Sequence, residues 1–270
     1  MTTESSGDDT GRLSSKEQWL EYYDNLRSDE DLSRIDCNLS SFLKAQFDCI
    51  AEVVTSMLSS RDVVRLWSAG CGVDTVSVKL KRRFADRIRI TLSDISPVCI
   101  SLNRGIYDRL GLEAEFIVED VFESQHAESF DIVTNTGLLE HFDTAWQRRL
   151  IERLMESLRP GGRYIALVPC SRARIYAHCM RRMKSMGTWP YGPEEPMSSL
   201  RPLGSSDFPL ASESEVDCIE QFRFIPLAYP VVGRAFVPVN LLLRRIGRRF
   251  DRGLAKAFGG YCLIGEFQRT

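Results

Sequence analysis

The chain has 270 residues, and its 35 Lys and Arg against 37 Asp and Glu give a formal net charge of −2. This balance disfavours a protein that binds nucleic acid through bulk positive charge. No apolar run reaches the roughly 18 residues of a membrane-spanning helix, and residues 1–10 lack the apolar stretch of a secretory signal. The 8 Cys are scattered and there are 3 His, so we expect buried thiols in a reducing cytoplasm and no metal site.

The N-terminal part of the chain predicts a tail followed by two helices. Residues 1–13 are polar and are expected to be disordered. Ser14 and Glu17 have the spacing of a capping box, which predicts a short helix over residues 18–26. Apolar residues near helical spacing predict a longer helix over residues 39–58.

Strands and helices then alternate along the chain. Such alternation indicates a parallel sheet with helices on both faces, and the right-handed crossover rule makes the sheet doubly wound. The predicted strands span residues 63–68, 88–93, 115–118, 131–135 and 163–168, and the predicted helices span residues 72–84, 96–110 and 144–158.

The alternation stops after residue 169. A helix is predicted over residues 174–186, and a long Pro-rich loop over residues 187–210. Two late strands are predicted over residues 222–227 and 261–267. Between them, residues 240–258 have the pattern of an Arg-rich amphipathic helix.

The candidate site lies at the ends of three predicted strands. Residues 70–72 form a Gly-rich turn, which lets a ligand approach the backbone, and the helix that follows favours an anionic group. A dinucleotide fingerprint needs a third Gly where Thr75 stands, which disfavours NAD and FAD. Asp94 can accept both hydroxyls of a ribose, and Asp120 can accept from an exocyclic amine. Each acid alone is equally typical of an ordinary turn, but this topology brings all three strand ends to one crevice.

With these residues, the sequence over about residues 63–168 resembles the class I S-adenosylmethionine-dependent methyltransferases, in particular the small-molecule branch. The resemblance implies a Rossmann-like α/β fold, with a doubly wound seven-stranded sheet and an antiparallel last strand. It also implies S-adenosyl-L-methionine as the cofactor. Besides the three turns, the runs that carry it are Phe130-Asp131-Ile132-Val133, Leu138-Leu139-Glu140-His141-Phe142 and Leu158-Arg159-Pro160-Gly161-Gly162.

The resemblance also assigns roles to residues. The Gly-rich turn would face the methionine part of the cofactor, the second strand end the ribose, and the third strand end the adenine. An Asn would lie beneath the sulfonium, and an aromatic residue of the first helix would close the methionine end. The cofactor-binding residues so implied are Tyr23 (with Trp19 and Tyr22 as alternatives), Ala69, Gly70, Gly72, Asp94, Ile95, Asp120, Val121 and Asn135.

His141 is the candidate catalytic base, although the Leu-Glu-His run is common in the family whatever the substrate. Glu140 and Asp143 are weaker candidates, and Asp143 is more typical of a helix entry. Two departures from the family matter: Ser68 stands where an acid is usual, and Asp74 where a third Gly is usual. The missing acid would help to hold the methionine ammonium, so either cofactor affinity is weakened or Asp74 substitutes.

The expected function is methyl transfer to O or N of a small molecule, in specialised metabolism. Residues 135–138 lack the Asn-Pro-Pro-aromatic run of enzymes that modify base amines, so nucleic acid is not expected as a partner. The alternatives are a partner or regulatory protein without turnover, and a lipid or quinone methyltransferase recruited to a membrane surface by the Arg-rich helix. The loop residues that suit an amphipathic or cationic substrate are Trp189, Tyr191, Glu194, Glu195 and Arg201.

The sequence shows no clean linker, which indicates a single domain over residues 14–270. Its expected parts are a helical N-terminal cover over 14–60, a cofactor-binding core over 61–170, and an elaborated substrate side over 171–270. The oligomeric state has no signature in the sequence.

Overall fold

The computed structural model describes residues 12–13, 16–27, 40–189, 194–230 and 257–270. The helices are α1 (Lys16–Arg27), α2 (Ser41–Met57), α3 (Thr75–Phe84), α4 (Pro97–Leu110), α5 (Thr144–Glu156), α6 (Arg174–Ser185) and α7 (Phe224–Ala228). The strands are β1 (Val64–Ala69), β2 (Ile88–Asp94), β3 (Glu115–Val118), β4 (Phe130–Thr136), β5 (Leu158–Pro169), β6 (Leu210–Val216) and β7 (Cys262–Gln268).

The described residues form a seven-stranded sheet in the order β3-β2-β1-β4-β5-β7-β6. Strands β1 to β5 are parallel, and β7 runs antiparallel to both β5 and β6. The predicted doubly wound sheet with an antiparallel last strand is therefore confirmed. The strand order reverses beside β1, and a crevice forms there at the carboxyl ends of the strands.

Two apolar layers cover the sheet because successive side chains of each strand point to opposite faces. On β1, Leu66 belongs to the layer that contains Ile50 of α2, whereas Trp67 belongs to the layer that contains Leu150 of α5. Trp67 is fully buried, and its indole N–H donates to the Ser93 hydroxyl at 2.8 Å. Apolar side chains thus cover both faces of the sheet beneath the crevice.

Local capping explains where the central helices begin. The Ser96 hydroxyl accepts from the Cys99 amide at 3.3 Å, and Pro97 opens α4, as predicted. Helix α3 begins three residues later than predicted, because Asp74 is extended and accepts from the Ser77 amide at 2.9 Å. Asp143 caps α5, which agrees with its predicted role at a helix entry.

One predicted strand is wrong, and one predicted helix ends earlier than expected. Residues 222–227, predicted as a strand, are helical, because Pro226 has no amide to donate to a ladder. The strand beside β7 is instead β6, a half-exposed edge strand that begins at Leu210, the last residue of the predicted loop. The helix predicted to end at residue 158 ends at Glu156, and β5 begins at Leu158, which pairs with β4.

Several predictions fall on other parts of the chain. Ser14, residues 1–11 and most of the Arg-rich segment over residues 240–258 lie outside the described residues. Arg12 and Leu13, assigned to the tail by the sequence, lie against the loop before α5, where Arg12 forms an isolated β-bridge with Phe142. In the part of the chain that the structure describes, no helix is long and apolar enough to cross a membrane.

Candidate active site

A cleft opens at the carboxyl ends of the central strands, and its empty volume, including the space open to solvent, is about 760 Å³. Of the predicted site residues, the structure places the following along the cleft: Tyr23, Gly70, Gly72, Asp94, Ile95, Asp120, Val121 and His141. The strand ends that the sequence singled out therefore share one cavity.

The Gly-rich turn leaves the backbone open to the cleft. Gly70 and Gly72 have φ values of 57° and 50°, in the left-handed region that favours glycine. A Cβ at Gly70 would lie 3.0 Å from a side-chain carbon of Leu138, and one at Gly72 would lie 3.1 Å from the hydroxyl of Tyr23. Both positions therefore need Gly for conformation and for space.

Asp94 is fixed at the centre of the cleft by backbone donors. Its Oδ2 accepts from the Gly72 amide at 2.8 Å, and its Oδ1 accepts from the Ser96 amide at 2.9 Å. Burial raises the pKa of Asp94, and the hydrogen bonds from Ser96 and Gly72 oppose that shift. A carboxylate has about four acceptor positions, so two backbone donors leave capacity for the hydroxyls of a ribose.

Asp120 marks the other end of the cleft and contacts the N-terminal segment. Its Oδ1 accepts from the Phe122 amide at 3.0 Å, and its Oδ2 accepts from Arg12 Nη2 at 2.8 Å. The Arg12 guanidinium lies 5.2 Å from the ring centroid of Phe122 and 5.5 Å from that of Trp146. Arg12 was not predicted as a site residue, since one Arg in a polar segment carries no local signal.

Two predicted cofactor residues do not line the cleft. Ala69 is fully buried, and Asn135 is 1% exposed. The Asn135 side-chain amide donates to the Tyr164 hydroxyl at 2.7 Å, and its main-chain oxygen accepts from Gln46 at 3.0 Å. The Asn135 side chain therefore belongs to the core beneath the cleft.

The two departures from the family contact each other. The Ser68 hydroxyl donates to Asp74 Oδ2 at 2.7 Å, and Asp74 Oδ1 caps α3. Burial raises the pKa of Asp74 above its ordinary value, and the hydrogen bonds from Ser77 and Ser68 only partly oppose this shift. Neither side chain lines the cleft, so Asp74 acts here as a helix cap.

His141 lies where the cleft meets a second cavity. It is 5% exposed, ends the 3-10 turn Leu139–His141, and its ring packs edge-on against Trp19 with centroids 4.6 Å apart. Its main-chain oxygen accepts from the Leu13 amide at 2.9 Å. The residues that line both cavities are Trp19, Tyr23, Thr136, Gly137 and His141.

The second cavity holds two buried acids. Glu140 is 2% exposed and Glu194 is 7% exposed. Burial raises the pKa of both, and the charge of Glu194 raises that of Glu140 further. One ligand atom from each of Glu140, His141 and Glu194 lies within 4.8 Å of the others, a grouping that a divalent cation would fit. No metal site was predicted from the sequence, and residues 140 and 194 are too distant in the chain to form a local motif.

The other loop residues named from the sequence have different surroundings. Trp189 packs inward, with ring centroids 6.0 Å from Tyr176 and 6.1 Å from Phe224. Glu195 and Arg201 are exposed, and Tyr191 lies outside the described residues. Of this group, only Glu194 reaches the second cavity among the residues described.

The central part of the chain is similar in sequence to known proteins. Residues 66–162 match a family model described as a methyltransferase domain. Ribosomal RNA small subunit methyltransferase C of Actinobacillus pleuropneumoniae is 29% identical over 126 residues, which are 45% of this chain and 38% of that protein. The protein of the same name from Ectopseudomonas mendocina is 29% identical over 123 residues, which are 45% of this chain and 37% of that protein. The chain thus spans well under half the length of these curated relatives.

Solved structures share the fold over more of the chain. Magnesium protoporphyrin IX methyltransferase from Synechocystis PCC 6803, solved with S-adenosylhomocysteine, has a TM-score of 0.60 and 15% identity, covering 95% of this chain and 100% of that one. The 1,6-didemethyltoxoflavin-N1-methyltransferase of Burkholderia thailandensis has a TM-score of 0.53 and 15% identity, covering 94% and 87%. The matched methyltransferase domain, the sheet topology and the strand-end cleft together support the predicted resemblance to the class I S-adenosylmethionine-dependent methyltransferases, a family whose methyl donor is S-adenosyl-L-methionine.

Proposed function

We propose that the chain binds S-adenosyl-L-methionine in the cleft and transfers its methyl group to O or N of a small molecule in the second cavity. The observation that carries this proposal is the junction between the two cavities, which share five lining residues on α1 and after β4. A donor in one cavity and an acceptor in the other would meet there.

In this proposal, the strand ends hold the adenosyl group. The Asp94 carboxylate accepts the ribose hydroxyls, and its two backbone donors keep it oriented. Asp120 accepts the adenine amine, and the Val121 amide donates to a ring nitrogen. The open backbone at Gly70 and Gly72 faces the methionine part.

The sulfonium donor is already activated, so the protein mainly supplies alignment and excludes water. Trp19 and Tyr23 of α1 line both cavities, and they enclose the junction. His141 stands at the same junction and is proposed as the base when the acceptor carries a proton. Its 5% exposure keeps solvent from competing for that proton.

A second candidate function is methylation of ribosomal RNA, which the names of the curated relatives favour. Three observations disfavour it. Residues 135–138 lack the Asn-Pro-Pro-aromatic run, and aromatic side chains of α1 line the acceptor cavity, where a flipped base would have to enter. The chain also lacks net positive charge, with 35 basic against 37 acidic residues.

The location proposed is the cytoplasm. Among the described residues, seven Cys are free, namely Cys49, Cys71, Cys99, Cys170, Cys179, Cys218 and Cys262. Unpaired thiols are typical of a reducing compartment.

Two measurements test the proposed function. Titration calorimetry with S-adenosylhomocysteine should show saturable binding with one site per chain, and no binding at millimolar ligand would favour the protein without turnover. Transfer of tritiated methyl from S-adenosyl-L-methionine should then label small molecules of a cell extract. Labelling of purified small-subunit RNA instead would replace the small-molecule proposal with the RNA one.

A further inference from the structure

The second cavity contains a buried carboxylate oxygen that is set to accept a hydrogen bond. Glu140 is 2% exposed and lines this cavity, and its Oε2 has no hydrogen-bond partner among the described residues. A buried acceptor without a donor costs free energy, and the cost is larger for a charged group. A bound molecule that brings N–H donors and positive charge would remove this cost.

The charges around the cavity leave it acidic. Neither Glu140 nor Glu194 forms a salt bridge within the described ranges; Glu194 instead accepts from the Tyr176 hydroxyl. Lys184 approaches from α6 and donates to the main-chain oxygen of Glu194 at 3.0 Å. Arg223 also lines the cavity, but its guanidinium is paired with Glu220 at 3.1 Å. The cavity therefore favours a cation over an anion.

The walls of the cavity favour an organic cation with an apolar body. Aromatic rings attract cations and also pack well against apolar groups. The aromatic residues that line this cavity are Trp19, Tyr22, Tyr23, Phe42, Tyr176 and Tyr261.

The spacing of the two acids also suits an ammonium group. Ligand oxygens of Glu140 and Glu194 lie within 4.8 Å of each other. A tetrahedral nitrogen about 2.8 Å from each of two acceptors holds them about 4.6 Å apart. Both carboxylates can thus accept from one nitrogen without moving far.

We infer that the methyl acceptor is a primary or secondary amine, bound as its ammonium between Glu140 and Glu194 with its apolar body against the aromatic walls. This inference rests on the proposed methyl transfer and narrows its acceptor atom to nitrogen. The ammonium gives one N–H proton to the Glu140 carboxylate, and the freed lone pair attacks the methyl carbon of the sulfonium. The C–S bond breaks with its electron pair on sulfur, which leaves S-adenosylhomocysteine, an N-methylammonium ion and a protonated Glu140.

For an ammonium acceptor, Glu140 takes the role of base that the general proposal gives to His141. The Oε2 of Glu140 is buried, lacks a hydrogen-bond partner among the described residues and belongs to a side chain that lines the cavity, so it can accept the proton from a bound ammonium. Glu194 keeps a hydrogen bond from Tyr176, so the two acids would act differently, with Glu194 as the anchor.

The test uses the full chain saturated with S-adenosylhomocysteine, and three sets of probes titrated by calorimetry. Each set contains an amine, the alcohol and the carboxylate of the same body: 2-phenylethyl, cyclohexylmethyl and 2-(indol-3-yl)ethyl. At least one amine should bind about tenfold or more tightly than its alcohol, as a charge-assisted contact requires. If no amine in the three sets binds more tightly than its alcohol and its carboxylate, the inference is overturned.

Variants show whether the two acids cause the preference. Glu140→Gln and Glu194→Gln should each reduce the amine preference to about threefold or less, whereas Glu152→Gln on the exposed side of α5 should keep it. Melting temperature and S-adenosylhomocysteine affinity show that each variant is folded. An undiminished preference in both folded variants would overturn the inference.

The remaining outcomes distinguish this inference from failure of the proposed function and from a metal site. Loss of S-adenosylhomocysteine binding by the native chain would refute the proposed function itself, whereas intact cofactor binding without amine preference refutes only the acceptor class. Saturable binding of Mn²⁺ that Glu140→Gln removes, with no amine preference, would assign the two acids to a metal instead.

Discussion

Asp94 gives the sharpest test of the cofactor site, because its carboxylate holds two backbone amides at once. Replacement by Asn keeps one oxygen and puts an NH₂ group where the other oxygen accepts from Gly72 at 2.8 Å or from Ser96 at 2.9 Å. One backbone donor then loses its acceptor, which is expected to cost about 1–3 kcal/mol of stability. Urea unfolding measures this change.

The same substitution weakens cofactor binding through the ribose. Asp94→Asn keeps an acceptor for one hydroxyl and loses the charged acceptor for the other. One hydrogen bond to a charged group contributes about 1.5–3 kcal/mol, so the Kd for S-adenosylhomocysteine should rise roughly 10- to 150-fold. Titration calorimetry provides the comparison, and Asp108→Asn on the exposed side of α4 is the matched control.

Fragments of the cofactor separate the ribose contact from a general loss of structure. Adenosine should bind less tightly to Asp94→Asn than to the native chain, whereas 2′,3′-dideoxyadenosine should bind both about equally. The resulting coupling free energy should be about 1.5–3 kcal/mol. An equal loss for both nucleosides would refute the ribose contact, even if the variant is folded.

Three further predictions concern the turn and the second cavity. Gly72→Ala should lower stability by about 1–2 kcal/mol and weaken S-adenosylhomocysteine binding, because the added Cβ would lie 3.1 Å from the Tyr23 hydroxyl. Gly111→Ala is the control: Gly111 has a φ of +63°, and a Cβ there would have no heavy atom within 4 Å. This control should lose similar stability in urea unfolding and keep its affinity for S-adenosylhomocysteine. Asp74→Ala should cost about 0.5–2 kcal/mol as a lost cap while S-adenosylhomocysteine affinity stays near native, and a collapse of affinity in calorimetry would show that Asp74 replaces the family's usual acid. Glu140→Gln should melt at a higher temperature than the native chain near pH 8, and the difference should vanish toward pH 4. Burial raises the pKa of Glu140 in the folded chain above its ordinary value of 4.5. The stability that the protonated carboxyl contributes is therefore complete below that ordinary value and is lost as the pH rises through the folded-state pKa. Scanning calorimetry across this range that found no trend with pH would contradict the assignment.

The central sheet could be predicted because its signals are local. Each of β1 to β5 contains a short apolar run, and Ser96 with Pro97 marks a helix start without reference to the rest of the chain. Asp94 and Asp120 could be paired from topology alone, since parallel strands end at one edge.

Other features depend on partners that are far away in the chain. Strand β6 is polar and half-exposed, and its pairing with β7 defines it, so residues 210–216 carry no clear strand signal. Arg12 meets Asp120 across 108 positions, and only the folded chain brings Glu194 beside Glu140. Asn135 illustrates a different limit: its position at a strand end was correct, but the direction of its side chain depends on Tyr164 of the neighbouring strand.

Residues 12 and 13 attach one short stretch of backbone to two residues that line the proposed cofactor cleft, through Arg12 on Asp120 and the Leu13 amide on the His141 carbonyl. If the spent cofactor lies beneath this stretch, its release would require at least one of these contacts to break. A substitution at Arg12 would then change the dwell time of the product without changing the methyl-transfer step.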